Sequence, residues 1–508
     1  MSKYKFKTKP YAHQRRALRQ LLDQKYGGAL LCEPRTGKTK TTIDWLSILA
    51  QKRLVDRVVI VCPARVMSTW VQEFHTHCPL LFNITVWDSD ARKHPPPPVS
   101  STYDLSVVIV NYEAFSTPGK KTKSGRESKT SGRYKVRNQL RTWLGDGTTA
   151  AGVLDESHKI KNPSGKAAKM LVTMGPDFSR RVILTGTVIT KAHRAHDVFM
   201  QWKFLNPARF AYLSTIADFK NHFGRWAQIE ANGRAFPKFL GPRNMDELKE
   251  RMGMDAVIVR REDCFDLPPR EDVVEWVDLK SSRAAYDQMA SDMIAHLESG
   301  NVAEASIELV RMLRMSQLTS GFVTNERDEV ERVGVEKLKA LQNRLEPLLE
   351  AGEKVVVAAR WRADLDIIES TVREYGVPVW SIRGGKTRAD TDEAIREFRK
   401  CEDAAVIIIQ PSSAALGIDL STASHMIWYS HTHSWVDFSQ ACDRIALSRN
   451  STTFIHLVAR HSIDETLMET LANDGDIAKQ VMSQPKKALL GSNLKVDSEN
   501  RLDVKKGG

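Results

Sequence analysis

Short apolar runs without polar alternation recur along this 508-residue chain, and they limit its fold more than any other feature. In the first part they are "GALL" (28–31), "VVIVC" (58–62), "VVIV" (107–110), "GVL" (152–154) and "VIL" (182–184). A run of this kind suits a strand covered on both faces. Between several of them lie helical patterns with one apolar side, such as Ala17, Leu18, Leu21 and Leu22, or Ile43, Leu46 and Ala50. Strand-helix alternation predicts an α/β chain with parallel sheets sandwiched between helices. From about 191 to 345 the pattern shifts to long helical or irregular stretches. It then resumes with "KVVVAA" (354–359), "VPVWSI" (377–382), "AVIII" (405–409), "HMIWY" (425–429) and "TFIHLV" (453–458). The expected organisation is an α/β unit over 1–205, a mainly helical insertion over 206–335, a second α/β unit over 336–475, and a basic, loosely held tail over 476–508.

Hydrophobic residues make up 42 % and charged residues 27 %, enough apolar material for several cores. No apolar run reaches the roughly 18 residues that a membrane span needs. The N-terminus "MSKYKFKTKP" lacks the apolar core of a signal peptide. Six cysteines without C-x-x-C pairs argue against a zinc site or disulfide frame and predict a reducing, cytoplasmic setting. The net charge of +13 predicts a polyanionic partner. Much of it is local: residues 119–141 hold nine Lys/Arg against one Glu, with Lys120, Lys121 and Lys123 in a stretch that reads as a basic loop. The alternative is a solvated loop with no partner.

"GGALLCEPRTGKTKTTIDWL" (27–46) carries the second half of a phosphate-binding loop in Gly37, Lys38 and Thr39. Backbone N–H groups from Thr36 to Lys40, at the start of the following helix, would wrap phosphates. Lys38 would reach the β- and γ-phosphates of ATP, and the Thr39 hydroxyl would ligate Mg2+. The first glycine of the pattern is replaced by Cys32. Further on, "GVLDESHKIKN" sets Asp155 and Glu156 at the end of an apolar run, one carboxylate for magnesium and its neighbour to activate water. Taken alone, an Asp-Glu pair also reads as an ordinary helix start.

With that box in place, the chain resembles the Swi/Snf-type (Snf-two family) DNA translocases of helicase superfamily two, whose D-E-x-H box is matched by Asp155 to His158. The likeness continues in order along residues 10–470. "YAHQRRAL" resembles the adenine-reading motif, giving Gln14; "VCPARVMSTW" resembles motif Ia and "VVIVNYEAF" motif Ib. "RVILTGTVIT" carries Thr185, Gly186 and Thr187 of motif III. "VIVRREDCFDLPPR" (257–270) is similar to a segment specific to Swi/Snf-type members. "AALGIDLSTASHMIWY" resembles motif V around Gly417, Asp419 and Leu420, and "QACDRI" motif VI with Gln440 and Arg444.

The resemblance implies two RecA-like lobes closing on ATP, with Lys38, Thr39, Asp155 and Glu156 on the first and Gln440 and Arg444 on the second. It implies a motor on double-stranded or branched DNA, with motif Ia residues Arg65, Ser68 and Thr69, then Lys159, Lys161 and the basic loop along the phosphate track. Phosphate contacts carry no base information, so sequence preference is expected to be weak. The chain departs from the family at Pro34-Arg35, at Val188 after T-G-T, and in lacking a Trp-Asn-Pro-like tripeptide before motif VI. Leu447 also stands where relatives carry a second arginine, with Arg449 two residues on as a possible substitute. Three functions follow: a duplex translocase, a strand-separating DNA or RNA helicase, and an ATP-switched clamp with little turnover. The expected setting is a compact, monomeric motor of bacterial or phage type, with a possible polymerase or replication-factor partner.

Overall fold

The computed structural model describes residues 4–33, 36–119, 128, 131–186, 195–231, 234–260, 264, 270–298, 305–324, 329–414, 418–445, 451–472, 487, 489–491 and 494–502. The chain divides into two compact units, Met1–Asp266 and Leu267–Gly508.

Unit 1 is built on seven strands: β1 (Gly27–Cys32), β2 (Arg57–Cys62), β3 (Phe82–Val86), β4 (Leu105–Asn111), β5 (Ala150–Asp155), β6 (Arg180–Thr185) and, after the antiparallel hairpin β7 (Gly224–Ala231) and β8 (Arg234–Pro242), β9 (Ala256–Val259). Their order across the sheet is β3-β4-β2-β5-β6-β1-β9, and every pairing is parallel. Alternate residues of one strand enter different cores. Val59, Val61, Val108 and Val110 pack on one face, while Val58, Ile60, Val107 and Ile109 pack on the other. That is why the runs carry no polar residue. Helices α1 (Ala12–Asp23), α2 (Lys38–Gln51) and α3 (Met67–His77) supply much of the second face through Leu18, Leu21, Ile43, Leu46, Trp70 and Phe74.

Unit 2 repeats the arrangement with six parallel strands. They are β10 (Arg270–Val277) and, after the short antiparallel pair β11 (Phe322–Thr324) and β12 (Val330–Arg332), β13 (Lys354–Ala358), β14 (Val379–Ile382), β15 (Ala405–Ile409), β16 (His425–Trp428) and β17 (Thr452–Ala459). Their order is β10-β17-β16-β13-β15-β14. Val356, Ala358, Ile407 and Ile409 face one core, and Val355, Val357, Val406 and Ile408 the other. A polar chain, buried except at Arg270, crosses this unit. Arg270 donates to both oxygens of Asp272 at 2.7 Å, and Asp272 lies 3.0 Å from His456 Nε2. His456 Nδ1 in turn lies 3.0 Å from His431 Nε2. Burial raises the Asp272 carboxyl, but Arg270 and His456 outweigh it and bring the group down to about 2.

Residues 206–335 contribute helices and the β7–β8 hairpin. They also lend β9 to the first sheet and β10 to the second, so the division between units falls inside this stretch. The C-terminal residues depart from the loose tail expected. Leu489, Leu494 and Leu502 are buried, Val274 N donates to Asn500 O at 2.9 Å, and Leu502 N donates to Asp272 O at 2.8 Å. The segment covers the open edge of β10, which would otherwise expose unpaired backbone groups. Among the described residues, no helix is long and apolar enough to cross a membrane.

Candidate nucleotide site and nucleic-acid face

In a parallel α/β sheet, ligands gather beyond the carboxyl ends of the strands. Apart from Gln14, on α1 ahead of β1, the motifs of unit 1 follow such ends. The loop before α2 follows β1, α3 follows β2, Tyr112 follows β4, Glu156 follows β5, and Gly186 follows β6.

Gly37 turns the loop into the helix with a left-handed backbone (φ 83°), and Lys38 is the first residue of α2. The hydroxyls of Thr41 and Thr42 bond back to the carbonyls of Gly37 and Lys38 at 3.0 and 2.9 Å, which tightens the first turn. Lys38 Nζ donates to the backbone carbonyl of Cys32 at 2.7 Å. Any residue supplies that carbonyl, so the missing first glycine does not disturb the lysine. The Cys32 side chain is buried, with its thiol 3.9 Å from Val257 O, and burial pushes the thiol up to about 12.

Gln14 is bound into the loop. Its Oε1 accepts from Tyr11 N at 3.0 Å and its Nε2 donates to Thr36 O at 3.3 Å. Thr36 O also lies 2.9 Å from His13 Nε2, an arrangement that needs the ring proton on that nitrogen. A Cβ on Gly37 would lie only 2.0 Å from Gln14 Nε2. Thr39 is half-buried in the first turn. Lys40 differs in kind: its ammonium is buried 2.6 Å from Asp44 Oδ2, so only its backbone N–H remains for the phosphate role.

Asp155 ends β5 and is 8 % exposed. Trp70 Nε1 donates to its Oδ2 at 2.9 Å, Glu156 N to its Oδ1 at 3.0 Å, and the Tyr112 hydroxyl to its carbonyl at 2.8 Å. Burial and the neighbouring Glu156 charge push the carboxyl up to about 6, against the pull of Trp70 and Lys38. Glu156 sits in a left-handed backbone conformation (φ 53°, ψ 52°), a strained state for a non-glycine residue. Its Oε2 lies 3.2 Å from His158 Nδ1, which is 3.3 Å from Thr185 Oγ1, so the D-E-x-H box touches motif III. Ser157 Oγ donates to Gln201 Oε1 at 2.7 Å.

The donor set suits a divalent cation that arrives with its substrate. Each oxygen of Asp155 has accepted one bond and keeps a further lone pair. Two adjacent acidic groups, one buried and unfavourably charged, would be relieved by a cation. Among the described residues no cluster of three or more His, Cys, Asp or Glu could hold a metal.

The proposed track residues are less assembled. Ser68 and Thr69 are half-buried in the first turn of α3, Lys159 is exposed and Lys161 half-buried. The side chain of Arg65, together with Lys120, Lys121, Lys123 and Thr187, lies outside the described residues. In unit 2, Gln440 is half-buried on the helix Trp435–Cys442, which Ser434 caps by accepting from Asp437 N at 3.2 Å. Arg444 is buried, and its carbonyl accepts from Leu420 N at 3.0 Å, joining motifs V and VI. Asp419 lies 3.7 Å from Arg399 and accepts from Ser421 N at 3.1 Å. Gly417, Leu447 and Arg449 lie outside the described residues. Trp70, Tyr112 and His13 went unnoticed in the sequence. Trp70 is 85 residues from the carboxylate it holds, and nothing in its own segment advertises the bond.

The chain is similar to known proteins over most of its length. Residues 13–321 match the SNF2-related domain, and residues 336–447 match the helicase conserved C-terminal domain. Over 492 residues the chain is 24 % identical to Protein CHROMATIN REMODELING 4 of Arabidopsis thaliana, covering 90 % of this chain and 20 % of that protein. Over 444 residues it is 23 % identical to DNA repair and recombination protein RDH54 of Saccharomyces cerevisiae, covering 82 % and 43 %. An uncharacterized ATP-dependent helicase of Mycoplasma genitalium is 20 % identical over 470 residues, covering 92 % and 41 %. The chain therefore spans less than half the length of these relatives. The Sulfolobus solfataricus SWI2/SNF2 ATPase core in complex with dsDNA aligns over 98 % of this chain and 99 % of that one, at 20 % identity and a TM-score of 0.40.

Proposed function

The chain belongs to the family of the SNF2-related domain, and on that premise we propose that it is a nucleic-acid-dependent ATPase that moves along double-stranded DNA. The observation that carries this reading is the single sheet edge in unit 1. It holds the Gly37–Thr39 turn with Gln14 bound into it, and the buried Asp155 beside Glu156. Backbone N–H groups at the start of α2 cradle the phosphates, and Lys38 leaves the Cys32 carbonyl to meet them. Gln14 reads the base. Asp155 and Thr39 would hold Mg2+, which neutralises charge on the phosphate oxygens when bound. Glu156, with His158 against its carboxylate, orients and deprotonates the attacking water. Gln440 and Arg444 join the proposal on the strength of their motif.

Phosphate contacts from Arg65, Ser68, Thr69, Lys159, Lys161 and the basic loop at Lys120, Lys121 and Lys123 would grip the duplex without reading its bases. The net charge of +13 supports such a partner. Free cysteines throughout fit a reducing, cytoplasmic setting.

The test is steady-state ATPase activity at one salt concentration with no nucleic acid, duplex DNA, single-stranded DNA, forked DNA and RNA. Lys38→Ala and Glu156→Gln should each lose about 10²-fold or more of turnover while retaining DNA binding. Normal hydrolysis by either variant refutes the site. Stimulation by plain duplex supports translocation on double strands. Stimulation confined to single strands, forks or RNA favours strand separation, and none at all favours the clamp.

A further inference from the structure

Asp155 is held from two directions, and one of the two segments, the start of α3, is one that the proposed reading sets along DNA. Trp70 lies in the first turn of α3, directly after Ser68 and Thr69, and is fully buried. Its indole has one polar group, and that N–H is spent on Asp155 Oδ2 at 2.9 Å. Tyr112, the first residue after β4, donates its hydroxyl to the Asp155 carbonyl at 2.8 Å. A carboxylate at a strand end can turn about its side-chain torsions. Here the Trp70 bond and the bond from Glu156 N fix one oxygen each, so the remaining lone pairs point in set directions. Partners in this outer position orient a metal ligand and raise its effectiveness.

We propose that Trp70 is a positioning residue that aims the Asp155 carboxylate, and that through it the first turn of α3 is linked to cation binding. A phosphate backbone pressing on Ser68 and Thr69 then changes the set of the carboxylate by way of the next residue in the helix. This inference rests on the proposed function and extends it to a route between the two ligands.

The experiment is Mn2+ binding to the full chain in the presence of ADP, followed by electron paramagnetic resonance with and without duplex DNA. Trp70→Phe keeps the ring and removes the donor, and is expected to weaken Mn2+ binding roughly 10- to 100-fold and to abolish any shift that duplex causes in the wild type. Trp202→Phe is the control, because it removes another buried indole–carboxylate bond of unit 1, to Asp255 at 3.1 Å, and should leave Mn2+ binding unchanged. If Trp70→Phe does not fold, Trp70→3-benzothienylalanine keeps the shape of the indole with sulfur in place of N–H. A folded variant that binds Mn2+ within twofold of wild type overturns the role of Trp70. Weakened binding with the duplex shift intact overturns the link through α3. A wild type that binds neither Mn2+ with ADP nor hydrolyses ATP indicts the reading of the site itself.

Discussion

Asp155→Asn should make the nucleotide-free protein more stable while disabling it. In the folded chain, burial and Glu156 raise the Asp155 carboxyl from an ordinary 3.8 to about 6. The folded state therefore holds this proton more tightly than the unfolded one, and stability falls as pH rises through that window. Above it, the ionised group costs about 3 kcal/mol, from roughly two pKa units at about 1.4 kcal/mol each. Asparagine removes the charge but offers one acceptor oxygen where Trp70 Nε1 and Glu156 N use two. Losing one of these bonds gives back about 1–2 kcal/mol. The net gain at about pH 8 is about 1–2 kcal/mol, or roughly 2–8 °C in the melting temperature of a unit this size. At about pH 4.5 the penalty in the wild type shrinks to about 1 kcal/mol, and the two proteins should melt together. Calorimetry at both pH values checks this. Adding ATP with Mg2+ should then reverse the order, because only the wild type gains binding energy. An Asp155→Asn protein that melts at or below wild type at the higher pH, without ligand, would refute the claim that this carboxylate is held at a cost.

Two further outcomes are expected. Gly37→Ala puts a Cβ 2.0 Å from Gln14 Nε2 at a φ of 83°, so Gln14 must give up its bond to Thr36 O and the turn takes on about 1–2 kcal/mol of backbone strain. ATP affinity, read by titration with a fluorescent nucleotide, should fall about tenfold or more. Neutralising Lys120, Lys121 and Lys123 should lower the slope of log affinity for duplex against log salt by about 0.9 for each phosphate the loop no longer neutralises, and an unchanged slope removes that loop from the track.

The strands that read as apolar runs were legible because most of their residues are apolar and buried. β1, β2, β4, β5 and β6, and later β13 to β17, all fall on the apolar runs. β10 was hidden for the opposite reason. "REDVVEWV" lies at a sheet edge and keeps Glu271 and Glu275 outward, so its pattern is half polar, and it sits inside a stretch dominated by helices. β9, only four residues long, gave too little signal to separate from its surroundings. At the site, Lys38, Thr39, Asp155 and Glu156 were readable because their chemistry depends on local order along the chain. The bonds from Trp70, Tyr112 and His13 depend on which strand ends are neighbours. No spacing within a single segment encodes that.

The place of β10 in its sheet has a consequence for how the protein is made. β10 pairs along its whole length with β17 alone among the parallel strands, and Asp272 finds His456 184 residues later. During synthesis at about 5–20 residues per second, β10 therefore leaves the ribosome roughly 10–40 s before its partner exists. Unit 1 can close as soon as β9 emerges, whereas unit 2 must keep an unpaired edge from straying until nearly all of its own chain is present. The charged residues of β10 then guard a waiting strand as much as a folded one.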